Sequence, residues 1–323
     1  MSITNRQAIC NVLLEAAKTN PDLTVVCSDS RGSGSLTPFA KAYPDQFVEV
    51  GIAEQDLVGI AAGLAAGGMQ VFAASPASFL TTRSYEQVKV DVAYSSTNVK
   101  LIGISGGVSY GALGMTHHST QDFAAMTALT GMRVYCPSDH FQTEKLVQEL
   151  LKDNLPAYIR VSRSATADIY DENMPFVLNQ ANVIQSGTDA LIVAAGEMVP
   201  FAKEAAEELE SLGFSVGVLD MYCLKPFDTK MLLEMASKVP VVISVEEHSQ
   251  YGGLGSQIAQ ALCANDPKPL VEMHLPDTHL VAGTNTEIFK EYGLDARGIA
   301  RTTLQAIEKS RGQSTIPSAA SVQ

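Results

Sequence analysis

Val48-Glu49-Val50-Gly51-Ile52-Ala53-Glu54-Gln55-Asp56, followed over 57–68 by a run made only of Gly, Ala, Leu, Ile and Val, is the segment on which the fold turns. A short apolar strand ends at a glycine, and a carboxylate then opens a helix that is apolar all round. Two forces compete at Glu54. Burial raises a carboxyl pKa, by up to about 3–5 units when complete, while a helix N-terminus favours the anion. The residues alone leave two readings, a buried and partly protonatable acid or a first-turn partner of the helix dipole, and helix position by itself favours the second. The small face Ala61-Ala62-Gly63-Leu64-Ala65-Ala66-Gly67 admits close approach of another backbone, from a second subunit or from the same core.

On either side of this segment, short β-branched runs alternate with longer amphipathic or Ala-rich segments, which predicts a parallel sheet covered by helices. Strands are expected over 23–28, 47–50, 70–73, 100–104, 133–135 and 158–161, with helices over 4–18, 54–66, 84–94, 120–129 and 142–152. The pattern then breaks into a polar stretch with Asp168, Asp171, Glu172 and Pro175. A second unit follows, with strands over 190–194, 215–220 and 241–246 and helices over 200–212, 229–237 and 256–263. The expected organisation is two doubly wound α/β domains: 1–165, a linker over 166–183, a smaller domain over 184–311 and a flexible tail over 312–323.

The chain has 323 residues, 46% hydrophobic and 18% charged, which is globular composition. Lys plus Arg is 22 against 35 Asp plus Glu, a net charge of -13, so a phosphate-backbone reader and an anionic membrane surface are excluded as partners. A small basic pocket for a phosphorylated metabolite remains compatible with that surface. Five cysteines, odd in number and nowhere in a C-x-x-C arrangement, read as free thiols in a reducing cytoplasm. The N-terminus lacks the continuous apolar stretch of a signal peptide, and no 18-residue uncharged apolar run is present.

Strand 100–104 runs into a glycine-rich loop, Gly106-Gly107-Val108-Ser109-Tyr110-Gly111-Ala112-Leu113-Gly114-Met115-Thr116-His117-His118. Glycines let a ligand touch backbone N–H groups. His117 either donates to a developing alkoxide or phosphate oxygen or is a surface histidine without a role. No zinc spacing accompanies it, so no metal ligand is assigned. Ser105 satisfies G-x-S-x-G, but an elbow serine leads straight into a helix and here glycines continue to Gly114, so that motif is rejected. Gly253 and Gly255 lack the third glycine of a dinucleotide fingerprint, and Gly32-Ser33-Gly34 leads to Pro38. Arg163 follows a strand end and can fork onto a phosphate or sit in a surface ion pair. Phe79 can stack on an aromatic ligand or belong to the core.

Taken in order over about residues 4–309, these segments resemble the C-terminal half of the transketolase family, which includes 1-deoxyxylulose-5-phosphate synthase. The pieces that carry the resemblance are Val50-Gly51-Ile52-Ala53-Glu54-Gln55, Phe79-Leu80-Thr81 with Arg83-Ser84-Tyr85-Glu86-Gln87, Gly114-Met115-Thr116-His117, and Ser162-Arg163. The resemblance implies a pyrimidine-binding domain for thiamine diphosphate followed by a transketolase C-terminal-like domain. Glu54 matches the acid that protonates the aminopyrimidine, Phe79 the ring that stacks on it, and Ile52 and Asp29 fall at the cofactor. His117 matches a histidine that bonds the substrate oxygen, Arg163 a sugar-phosphate contact, and Ser28 lies beside the substrate.

Two departures stand out: Leu113 replaces the aspartate that reads a sugar hydroxyl in the family, and Ser105 stands where a histidine near the phosphate is common. Losing a polar reader of a hydroxyl changes substrate choice strongly. The Gly-Asp-Gly and distant Asn that hold magnesium and the diphosphate are missing. The resemblance therefore implies half of a split transketolase, whose N-terminal partner subunit holds magnesium and the diphosphate in an α2β2 heterotetramer acting on a sugar phosphate. Kept beside it are a 1-deoxyxylulose-5-phosphate synthase-like or 2-oxo-acid dehydrogenase-like subunit and a non-catalytic homologue.

Overall fold

The computed structural model describes residues 3–312. The tail expected over 312–323 falls, beyond residue 312, outside the described residues. Among the described residues twelve strands form two sheets: β1 Leu23–Cys27, β2 Phe47–Glu49, β3 Gln70–Pro76, β4 Val99–Ile104, β5 Arg133–Tyr135, β6 Ala157–Val161, β7 Asn182–Gln185, β8 Ala190–Ala194, β9 Val216–Asp220, β10 Cys223–Lys225, β11 Val242–Ser249 and β12 Leu270–Leu275. The first sheet runs β10-β5-β6-β4-β3-β1-β2 and the second β12-β11-β8-β9-β7. Both are parallel except at one edge each, where β10 and β7 pair antiparallel.

Every residue of β1, β4, β6, β8 and β9 is buried. That is why these strands read as unbroken apolar runs, since helices cover both faces of a parallel sheet. Two apolar clusters result, one centred on the first sheet with residues such as Leu13, Phe39, Phe72 and Leu101, the other on the second with Ile192, Val218 and Ile243. Each fully buried Leu, Ile or Val contributes about 1.5–3 kcal/mol. Among the described residues no helix is long and apolar enough to cross a membrane.

The structure adds elements that the sequence pattern hides. Within the stretch expected as a linker, Asn182 and Val183 already belong to β7. The rest is tied down, with the Ile169 and Tyr170 N–H groups both donating to Asp139 Oδ2 at 2.9 Å. β10 leaves the second sheet's run of sequence to join β5 of the first, three residues being too short for a periodic signal. β12 and the helices Asn285–Glu291 and Ala296–Ser310 complete the second unit beyond the last expected helix. The helix expected over 84–94 is a short α-turn, Tyr85–Gln87, continued as a π-helix over Val88–Tyr94.

Chain connections leave β1 on one side to β2 and then cross to β3 on its other side, so the strand order reverses beside β1. In open parallel sheets a ligand crevice forms at the carboxyl ends of strands next to such a reversal. The segments after β1, β3, β4 and β6 carry Ser28-Asp29, Phe79, the loop 105–119 and Arg163 respectively. One edge of one sheet thus gathers most of the residues singled out above.

Candidate functional site

The site is built from the end of β2 upward. Gly51 has φ +74, and an L side chain would be strained there. Glu49 braces the turn, its Oε1 accepting from Gly51 N at 3.2 Å and from Asp29 N at 2.6 Å. The helix Glu54–Ala66 then starts without a side-chain cap, so Glu54 occupies its first turn. Yet Glu54 is only 5% exposed. It borders a cavity of about 370 Å³ lined by Ile52, Ala53, Glu54, Gln55, Asp56 and Arg83. The carboxylate therefore sits both at the dipole's positive end and buried at the edge of a crevice.

The counter-charge is Arg83, whose Nη1 donates to both Glu54 oxygens, at 3.0 and 3.1 Å. The Arg83 guanidinium lies over the Phe79 ring, 4.0 Å from its centroid. Phe79 meets the His117 ring edge-on at 5.2 Å, and His117 meets Tyr110 in the same manner at 5.6 Å. Arg163 closes the series, its guanidinium 5.2 Å from the Tyr110 centroid. Glu54, Arg83, Phe79, His117, Tyr110 and Arg163 thus form one continuous row of charges and rings across the sheet edge.

The adjacent imidazoles have separate roles. His117 is half-buried and its Nδ1 lies 2.9 Å from Thr116 Oγ1, which leaves Nε2 for a ligand. His118 is buried, its Nε2 lies 3.2 Å from Gly111 O, and burial pushes its pKa down, so it is a neutral brace within the loop. Beyond Arg163 a second cavity of about 500 Å³ is lined by Tyr110, Leu113, Arg163, Thr284 and Asn285 among others, so both units wall it. Leu113 is 55% exposed there, an apolar surface beside a guanidinium.

Ile52, 75% exposed, stands at the mouth of the Glu54 cavity. Ser28 is buried with its hydroxyl donating to Ser75 Oγ at 2.7 Å, so that group is used within the sheet, not in the row. Asp29 follows it at φ +48, exposed at the sheet edge. Ser105 also has positive φ, 55°, and no α-helix follows it until Asp122.

Sequence reasoning left Arg83 and Tyr110 without a role. Arg83 was legible, since it stands four residues after Phe79 and so on the same face of the short helix Ala77–Thr82 and its cap. Tyr110 was not, because a loop has no period. The backbone brace of Arg163 was equally hidden: Arg6, from the first helix, donates to the carbonyls of Ser33 and Arg163.

A buried carboxylate beside an aromatic face fits one end of a flat heteroaromatic ligand, one group bonding a ring nitrogen and the other stacking. Among the described residues no group of three or more His, Cys, Asp or Glu is placed to hold a metal ion.

Comparison with known proteins matches residues 1–168 to the transketolase pyrimidine-binding domain and residues 179–299 to the transketolase C-terminal domain. The chain is 47% identical to an apulose-4-phosphate transketolase subunit of Phocaeicola vulgatus, covering 95% of this chain and 98% of that one. It is 34% identical to a 6-deoxy-6-sulfo-D-fructose transketolase subunit of a Clostridium species, covering 94% of each chain. A solved structure described as a split-gene transketolase in an inactive β4 tetramer superposes with a TM-score of 0.86 at 35% identity, over 94% of this chain and 98% of that one. With both halves of its length matched, this chain belongs to the transketolase family, whose cofactor is thiamine diphosphate.

Proposed function

We propose that this chain is the pyrimidine-side subunit of a two-chain transketolase that moves a two-carbon ketol unit between sugar phosphates. The observation that carries the reading is the Glu54–Arg163 row, which sets a buried carboxylate, stacked rings and a guanidinium along one sheet edge. Thiamine diphosphate supplies the nucleophilic carbon for such transfers. Here Glu54 bonds the aminopyrimidine, with Arg83 swinging off the Phe79 ring to make room for it, and His117 donates to the substrate oxygen. Arg163 takes the sugar's phosphate. A partner subunit supplies magnesium and the diphosphate grip, and two copies of each chain assemble. Relatives named for apulose 4-phosphate and for sulfofructose support a ketose carrying a terminal anion as donor. Leu113 beside Arg163 supports a donor that asks for no hydrogen bond at that wall. The free thiols, four of five buried, suit a reducing cytoplasm.

Isothermal titration of the isolated chain with thiamine diphosphate and magnesium is expected to give no tight binding, and tight binding would refute the split arrangement. With the partner added, ketol transfer from apulose 4-phosphate is expected without release of carbon dioxide. Carbon dioxide released from pyruvate would favour the oxo-acid reading instead. Glu54→Gln is expected to lower turnover by about 10²–10⁴-fold with assembly intact, the range for a positioned acid–base group. Unchanged turnover would leave a non-catalytic homologue.

A further inference from the structure

Directly beneath the loop 105–119 lies a buried cluster of charge that the row does not use, and half of it comes from the second unit. Glu247, on β11, is 5% exposed. Its Oε1 accepts from Val108 N at 2.6 Å and its Oε2 from Arg160 Nη2 at 2.6 Å. Arg160, on β6, also donates to the Glu247 carbonyl at 2.9 Å and to Asp122 Oδ1 at 3.3 Å. Glu197, half-buried between β8 and the helix Met198–Ser211, hydrogen-bonds the Glu247 carboxyl, and Ser109 Oγ lies 3.5 Å from its Oε1.

The approach is too tight for a Cβ at three of the loop's glycines. A Cβ at Gly106 would fall 2.4 Å from Arg160 Nε, and one at Gly107 would fall 2.0 Å from Glu247 Cδ. Further out, a Cβ at Gly111 would fall 2.0 Å from Gly283 O of the second unit. Gly107 and Ser119 exchange backbone hydrogen bonds of 3.1 and 2.7 Å, which closes the loop. Everything between them, Tyr110 and His117 included, hangs from that closure.

We propose that Glu247 and Glu197 form a hydrogen-bonded carboxyl pair that positions the loop 105–119, and through it Tyr110 and His117, so that the second unit acts on the reaction as a positioning device. This rests on the transferase reading above. Burial pushes both carboxyls up, so the pair holds one proton, which Glu197 donates to Glu247 because Arg160 and the Val108 N–H favour charge on Glu247. Burial, then the neighbouring Glu247 charge, pushes the Glu197 carboxyl well up, which keeps the shared proton in place. The other groups around the pair are Asp122, Tyr158, Cys136, His248 and Glu246. Tyr158 OH donates to Asp122 Oδ2 at 2.7 Å, and burial holds the Cys136 thiol and the His248 imidazole neutral. Glu246 turns away, its oxygens accepting from Leu254 N at 2.7 Å and Gly255 N at 2.8 Å. When rising pH ionises Glu197, two like charges meet and the hold on Val108 and Ser109 loosens.

The test uses the reconstituted two-chain enzyme with Glu247→Gln and Glu197→Gln. Glu247→Gln is expected to lower kcat by between about 10- and 100-fold, the scale of a small misplacement of a reacting group, with cofactor affinity unchanged. Glu197→Gln, whose amide donates at every pH, is expected to abolish the fall of kcat on the alkaline side of the profile. Hydrogen exchange of amides 108–118 in the full chain reads the same hold without activity and is expected to quicken in Glu247→Gln and, in the parent, at high pH. Exchange that matches the parent in both variants overturns the proposal whatever the activity. A transferase-inactive parent whose exchange still responds overturns only the functional reading.

Discussion

Glu54 shows how position and burial act on one side chain together. Its place in the first helical turn was legible in the sequence, whereas its burial was left open there, because the apolar run over 57–68 fits an ordinary core helix as well as a crevice. That Phe79, His117 and Arg163 lie at the same sheet edge was legible too, each standing in the segment that follows a strand end. Ser28 shows the limit, since nothing in its neighbours announces that Ser75, 47 residues on, will take its hydroxyl. Asp220 shows it more sharply. Fully buried at the end of β9, its Oδ2 accepts from Gln142 Nε2 at 2.7 Å, Tyr170 OH at 2.8 Å and Ser138 Oγ at 3.1 Å. Burial outweighs those bonds and pushes its carboxyl up to about 7. An unfolded Asp titrates near pH 4, so the folded state binds the proton more strongly. The stability it contributes is complete below about pH 4, declines as pH rises toward 7 and is flat above. Asp220→Asn keeps the three accepted bonds without the titration. Its melting temperature is expected to fall less than the parent's between pH 4.5 and 8, by at most about 4 kcal/mol of stability at about 1.4 kcal/mol per unit. Thermal melts with parallel pH profiles in the two proteins would remove Asp220 from this role. Glu246, also pushed up to about 7 by burial, gives both proteins the same background slope.

Among the strands and loops, the parallel strands were readable because full burial makes them continuous apolar runs, and the loop 105–119 was readable as a loop because of its glycines. What those glycines serve was not, because Arg160 and Glu247 are 53 and 140 residues away from Gly107 in the chain. Gly107 has φ +57, so alanine there meets backbone strain as well as the Glu247 carboxyl. Strain of about 1 kcal/mol and an overpacking cost of about 1–3 kcal/mol add to an expected loss of about 2–4 kcal/mol for Gly107→Ala. Gly114, also at positive φ but with nothing within 4 Å of a Cβ, is the control, and Gly114→Ala is expected to lose only the strain. Urea midpoints of the two variants decide it, equal losses meaning that the clamp beneath Gly107 gives way easily. β10 was hidden for a different reason. Its three residues carry no period, and what holds them is tertiary, with Lys225 Nζ donating to Thr127 O at 2.8 Å and Leu129 O at 2.6 Å.

The protein as a whole keeps apolar surface where a chain standing alone in water has little use for it. Ile60 lies 40% exposed on the helix Glu54–Ala66, while Val90 and Tyr94 lie 40% and 85% exposed on the π-helix Val88–Tyr94 packed against it. The sequence Val88-Lys89-Val90-Asp91-Val92-Ala93-Tyr94 alternates like a strand, yet Val88 and Val92 are buried and Val90 is not. Only a helix with its inner face filled presents that set. The small residues of the Glu54 helix, poor in side chain to cover their own backbone, extend the same surface. The occupant expected there is a second copy of this chain, which places the half-site opened by Glu54 close to a contact between subunits. Tyr94→Glu puts a charge into that contact without touching either core. Sedimentation of the full chain is expected to shift toward a smaller species in this variant, with the far-ultraviolet circular dichroism unchanged. An unaltered sedimentation coefficient would mean that copies meet elsewhere, and the exposed Tyr94 would then face the partner subunit, where the variant weakens reconstitution instead.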